Sequence, residues 1–252
     1  AAIGPAFCAG HDLKEISAKR STADGGQAYF TALFSSCANV MQAIVNNPKP
    51  VIAEIAGVAT AAGCQLVASC DLAVAADTAK FATPGVNIGL FCSTPMVALS
   101  RNVHKKNAME MLLTGDMIDC KKAKEIGLIN EYVSPDNLSD SVLHLAEKIA
   151  SKSSRTLATG KKAFYKQAEM SLADAYEYTS EVMKENIIKG IMTDILETKD
   201  KKGAFEVFLE GENIDMRLLS GGGEVEQIRN QVFNKYLNLL YVGITTLTLS
   251  IG

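Results

Sequence analysis

Apolar side chains recur every three or four positions over residues 27–45, at Phe30, Leu33, Phe34, Cys37, Val40, Met41, Ile44 and Val45. That spacing predicts a helix with one buried stripe, ended by Asn46, Asn47 and Pro48. Pro48 and Pro50 hold the chain extended into residues 51–56, a β-branched run bounded by Gly57, which reads as a strand. Residues 57–62 read as a small-residue loop, Ala62–Ser69 as a helix with short side chains, and Leu72–Ala76 as a second buried strand. Phe81 continues extended, and Pro84 with Gly85 predicts a turn. Residues 87–94 read as a loop before a helix that starts at Pro95, with Ser93 or Thr94 as its cap. Two strand-loop-helix units in succession imply an α/β fold.

Further on, residues 105–113 and 121–126 read as helices, the second capped by Asp119, and residues 128–133 as a brief strand ended by Pro135. Residues 138–150, 156–166 and 172–188 follow as helices with Leu, Ile, Ala and Met stripes, the pattern of core or subunit contact. Beyond Gly211 the character changes. Ser220 to Gly223 is linker-like, residues 224–242 read as a helix, and no charge follows Lys235. Thr and Asn dilute that uncharged end, which is short for a membrane span.

The 252 residues are 48% hydrophobic and 21% charged, enough for one sizeable core or two modest ones, which rules out a disordered or fibrous chain. The net charge is -3 and the basic residues are scattered, so no footprint for a nucleic-acid backbone is present and a small ligand or protein partner is the default. Six cysteines sit mostly in apolar stretches without metal-ligand spacing, as expected in a reducing compartment. His11, His104 and His144 lie far apart in sequence, and no metal site is expected. The first residue is Ala1, and residues 1–10 lack the basic and apolar runs of a secretory signal.

Five segments resemble, in order, the enoyl-CoA hydratase/isomerase (crotonase) superfamily. They are AFCAGHDLKE at 6–15, VIAEIAGVATAAGCQLVASCDLAVA at 51–75, KFATPGVNIGL at 80–90, LLTGD at 112–116 and AKEIGLI at 123–129. The resemblance implies a crotonase-like α/β fold, a spiral of ββα units with a helical trimerising region. Residues 1–135 would form the core with an acyl-CoA pocket, 136–211 the helical region and 212–252 an atypical appendage. Strands that family chains carry ahead of Phe7 would be missing. The implied ligand is an acyl-CoA thioester, with coenzyme A present only as part of that ligand and no permanently bound cofactor. The implied assembly is a homotrimer or dimer of trimers, in the mitochondrial matrix and in fatty-acid metabolism.

A thioester carbonyl gaining enolate character needs two convergent N–H donors on rigid loops without bulky side chains. Motif matching places them at the amides of His11 and Ala62, with Ala9, Gly10, Asp12, Leu13 and Gly63 lining the coenzyme. The His11 imidazole is either a general base or a packing group whose amide alone matters. Family hydratases use two glutamates to activate water and deliver a proton. Here Gln65 and Gly85 stand at those positions. Glutamine can hold water but cannot exchange a proton near neutral pH, and glycine leaves open space beside the acyl group. Losing two such groups costs ~10⁴-fold or more.

Ser93 matches an aspartate of dienoyl isomerases, with helix capping as its other reading. Cys64 and Cys92 read as packing residues. Asn87 faces substrate or ends a turn, and Glu54 pairs with a lysine or reaches solvent. Lys14 and Lys162 are candidate phosphate contacts, while Gly211, Glu212 and Asn213 replace a basic ending after residues 202–210. The expected function is therefore acyl-CoA binding without normal hydration. The alternatives are an isomerase, hydrolase or lyase using the same oxyanion hole, or a protein-binding module, against which the small residues Gly10, Ala61, Ala62 and Gly63 argue.

Overall fold

In the computed structural model, residues 6–197 are described, with side chains to 188. From the amino end the elements are β1 (Ala6–Cys8), α1 (Leu13–Lys19), α2 (Gln27–Asn46), β2 (Ile52–Ile55), β3 (Val58–Thr60) and α3 (Ala62–Ser69). β4 (Leu72–Ala76), β5 (Lys80–Ala82), a 3-10 turn at Pro84–Ile88, α4 (Pro95–Asn102) and α5 (Lys105–Thr114) follow. β6 (Ile118–Asp119), α6 (Cys120–Glu125), β7 (Glu131–Val133), α7 (Leu138–Ala150), α8 (Ser154–Gln167) and α9 (Leu172–Glu197) complete them.

The strands form two sheets, β1-β3-β5-β6 and β2-β4-β7, parallel except for the antiparallel β5–β6 pair. Consecutive strands therefore go to different sheets: β2 joins one and β3 the other, then β4 and β5 repeat the alternation. Each strand pair is followed by a helix, giving two ββα units. Residues 57–62, read as a loop, contain β3. Its small side chains let it lie between β1 and β5, with Ala59 opposite Phe81 and Thr60 opposite Ala82.

The core is alanine-rich, because Ala53, Ala59, Ala73, Ala75 and Ala79 let backbones approach around Ile55, Val67, Phe81 and Leu99. Asn102 Nδ2 donates to Ala68 O at 2.8 Å and ties α4 to α3. A second cluster seats α7 on the other sheet through Leu138, Val142 and Leu145 against Val74 and Ala76. There Glu54, expected to pair with a lysine or reach solvent, accepts a 2.6 Å bond from the Ser139 hydroxyl at the surface. Of the predicted caps, Asp119 accepts from Lys122 N at 2.8 Å. Thr94 occupies the N-cap of α4 without a side-chain bond, and Ser93 does not cap it. Pro95 at the first helical position has no N–H to satisfy, which makes a side-chain cap there less necessary.

α2 is long and apolar enough to cross a membrane by length and composition, and none of it is fully buried. Its half-buried stripe faces protein, with Phe34 against His11 and Cys37 against Gln65. The predicted helix at 224–242 and the appendage beyond residue 211 lie outside the described residues, as do the segment 202–210 and the Gly211–Asn213 replacement.

Candidate functional site

β1 and β3 run side by side and deliver two short turns to one place. After β1, Thr60 Oγ1 donates to Ala9 O at 3.3 Å, and Gly10 turns the chain at φ +91°. A Cβ on Gly10 would lie 3.1 Å from Ala61 Cβ and 3.2 Å from the Ala62 nitrogen. After β3, Ala61 takes φ 51°, the only positive φ on a non-glycine residue among those described. That conformation costs ~1–3 kcal/mol and turns the chain directly into α3 at Ala62. The next residue is equally constrained, since a Cβ on Gly63 would sit 1.9 Å from the Cys8 carbonyl oxygen.

The result is two backbone turns in van der Waals contact. The His11 and Ala62 amides donate no hydrogen bond among the described residues. Ala62 opens α3, so its free N–H also carries the positive end of the helix dipole. Asp12 is occupied as the N-cap of α1, accepting from Lys14 N at 2.8 Å and Glu15 N at 3.4 Å. Leu13 and Lys14 are exposed at the start of that helix.

Gln65 is buried one turn into α3, 4% exposed, and its Oε1 accepts from the Cys37 thiol at 3.8 Å. Its amide nitrogen forms no hydrogen bond among the described residues. The His11 ring meets Phe34 edge to face at 5.8 Å, and its Nε2 is buried without a partner among the described residues. Among the described residues no carboxylate bonds to the imidazole.

Gly85 corrects the expectation of open space. A Cβ there would lie 2.1 Å from the Leu90 carbonyl oxygen and 2.9 Å from Cys92 Sγ. The 3-10 turn folds back, with Leu90 N donating to Gly85 O at 2.9 Å, so main chain fills the place where a side chain would begin. Ser93, just beyond, is exposed, and its hydroxyl donates to Phe91 O at 3.4 Å. Burial, then the neighbouring Cys92, pushes the Cys64 thiol up to about 12, so it stays a thiol at neutral pH. Among the described residues no group of three or more His, Cys, Asp or Glu is arranged to hold a metal.

Sequence reasoning missed one buried polar cluster. Lys161 Nζ from α8 lies 2.6 Å from Asp71 Oδ2 and also donates to Ile44 O and Lys49 O. Asp71 further accepts from Val51 N at 2.7 Å and Tyr165 Oη at 2.9 Å. Burial and the Asp71 bond raise the Tyr165 hydroxyl above its ordinary range, and burial pushes the Cys70 thiol up to about 11. The cluster pins α8 to the end of α2 and the entry of β2. Lys161 and Asp71 are 90 positions apart, so no local pattern announces them.

Two ββα units and a loop-to-helix junction with paired free amides define a crotonase-type fold. The chain belongs to the enoyl-CoA hydratase/isomerase family, whose model matches residues 1–205. It is 49% identical over 186 residues to human enoyl-CoA hydratase domain-containing protein 3, mitochondrial, covering 74% of this chain and 60% of that protein. The rat protein of the same name is 46% identical over 209 residues, covering 83% and 65%. The chain thus spans less than two thirds of the length of these curated relatives. Among solved structures, human enoyl Coenzyme A hydratase domain-containing protein 3 superposes with a TM-score of 0.72 at 46% identity, covering 81% of this chain and 80% of that one. A Mycobacterium smegmatis enoyl-CoA hydratase gives 0.71 at 48%, covering 78% and 76%.

Proposed function

We propose that this chain binds acyl-CoA thioesters between the turn after β1 and the start of α3, and that it does not hydrate enoyl thioesters at a physiological rate. The observation that carries the reading is the contact of Gly10 with Ala61 and Ala62, which brings two free amides to one place at the start of the helix that holds Gln65, together with a Gly85 whose side-chain position the Leu90 carbonyl fills. Two N–H donors polarise a thioester oxygen. Gln65 orients water but takes no proton, and no acid can project from residue 85 while Leu90 keeps its place.

In this reading Ala9, Gly10, Asp12, Leu13 and Gly63 border the coenzyme through backbone and apolar contact. Asp12 serves by capping α1. Coenzyme A comes and goes as part of the ligand. Helices α7 and α8 pack against other copies in a trimer; the relatives' names support a mitochondrial protein, and we assign it to the matrix and to fatty-acid metabolism. Calorimetric titration with a medium-chain acyl-CoA and with the matching free acid tests this. Saturable heat from the thioester alone is the expected result, and equal failure of both ligands overturns the reading.

A further inference from the structure

Each of the two free amides at the junction is joined to the same turn of α2 through one neighbour. Ala62 opens α3, and Gln65, one turn on, accepts from the Cys37 thiol at 3.8 Å. His11 lays its imidazole against Phe34 at 5.8 Å, and Phe34 stands three residues before Cys37 on α2. Residues three apart on a helix are surface neighbours, with Cβ atoms ~5–6 Å apart. His11 Nε2 is the one buried side-chain nitrogen or oxygen without a partner among the described residues, a state that asks for an explanation. Cys64, Cys92 and Cys120 are buried, whereas Cys37 is half-buried and bonded to the first turn of α3. Burial first, then the neighbouring Cys8, raises the Cys37 thiol above its ordinary range, so a base must take its proton as the sulfur reacts.

We infer that Cys37 is an acyl acceptor, which takes the acyl group of a bound acyl-CoA thioester to give an S-acylated chain and free coenzyme A. The inference rests on the acyl-CoA reading above and gives that site a reaction that needs neither missing glutamate. The Cys37 sulfur bonds to the thioester carbonyl carbon while its proton passes to His11 Nε2. The carbonyl oxygen takes up the negative charge against the His11 and Ala62 amides. The carbon–sulfur bond to the coenzyme then breaks, the carbonyl re-forms, and His11 returns the proton to the coenzyme thiolate. One thioester replaces another, so no oxidant, reductant or further reactant enters. Nucleophile, base and oxyanion donors are the three parts acyl transfer requires, and contacts between nucleophile and base are often longer in the unliganded state than during reaction.

The test is intact-mass spectrometry of the chain incubated with excess butanoyl-CoA, with peptide mapping of any adduct and calorimetric binding measured in parallel. Cys37→Ser and His11→Phe, which keeps the amide and a ring against Phe34, go through the same protocol. The expected result is one butanoyl group on Cys37, matched by one equivalent of free coenzyme A. Its rate should saturate with butanoyl-CoA and fall when S-butyl-CoA, a thioether with no carbonyl to attack, competes for the site. Cys37→Ser should lower that rate ~10²-fold or more while leaving butanoyl-CoA binding within about twofold. His11→Phe should slow transfer ~10²-fold, and an unchanged rate removes His11 as the base. Binding without acylation, or acylation that maps to another cysteine or rises without saturating, overturns the inference and leaves the acyl-CoA reading standing. The mapping on the unsubstituted chain decides this even where a variant fails to fold. Failure of butanoyl-CoA to bind removes the acyl-CoA reading, and this inference with it.

Discussion

The two walls of the site are built by the same device and end with opposite chemistry. At the β1–α3 junction, Gly63 lets the helix settle against the Cys8 carbonyl, which holds free amides in place. At the turn after β5, Gly85 lets the Leu90 carbonyl fold in where a side chain would start. One close approach preserves donors and the other excludes an acid. Polarising a carbonyl needs only backbone, whereas moving a proton needs a side chain, so a chain can lose the second function while its fold maintains the first.

The sharpest way to break this comparison is Gly63→Ala. Its Cβ would meet main chain on a buried helix, and we expect a loss of ~4 kcal/mol or more, at the diagnostic end of single substitutions. A fall in melting temperature of ~8 °C or more would register it. A tolerated alanine would show that the junction is looser than the contacts require.

Gly85→Ala should cost less, ~1–3 kcal/mol, because Leu90 sits in an exposed turn whose backbone can yield. Urea titration separates the two values. The double variant Gln65→Glu with Gly85→Glu should be further destabilised without gaining crotonyl-CoA hydration, since the second carboxyl has no room in the present turn. Hydration by the double variant would mean that residue type alone, and not the folded-in Leu90 carbonyl, had closed the reaction.

The walls meet at Cys64 and Cys92, which gives a pH test. Cys64 is pushed up to about 12 by burial first and Cys92 second. Its folded value lies above the unfolded one, so its contribution is complete below about pH 8.5 and is lost as pH rises toward 12. The expected slope is ~1.4 kcal/mol per pH unit for one proton in that window. Unfolding of Cys64→Ala across the same range should show a shallower decline, and an unchanged slope would point to other groups. At the small end, Ser93→Ala should change stability by less than ~0.5 kcal/mol, because the hydroxyl is exposed and caps nothing. A larger loss in denaturant would show that Ser93 contributes more to the second wall than its single bond implies.

The sequence displayed whatever local periodicity controls. α2 and α7 emerge where the apolar spacing places them, α3 and β4 where a run of small or apolar residues does, and the Asp119 cap sits where its side chain predicts. The resemblance and the run of small residues single out the His11 and Ala62 amides, and the structure leaves both without a partner among the described residues. β3 was not legible, because Val58-Ala59-Thr60 becomes a strand only between two non-local partners. The Leu90 carbonyl was invisible for a related reason: it is backbone, and its position depends on how the turn returns to Gly85. Lys161 and Asp71 each look like ordinary surface charges until α8 folds back across the end of α2.

The most direct test is one cuvette of crotonyl-CoA with the purified chain in excess, following the enoyl thioester absorbance while a separation of bound from free ligand runs in parallel. Bound thioester with an unchanged chromophore over many minutes is the expected result. Catalytic loss of the chromophore would contradict the account, because a proton-moving group would then have to stand where Gln65 and the Leu90 carbonyl now do.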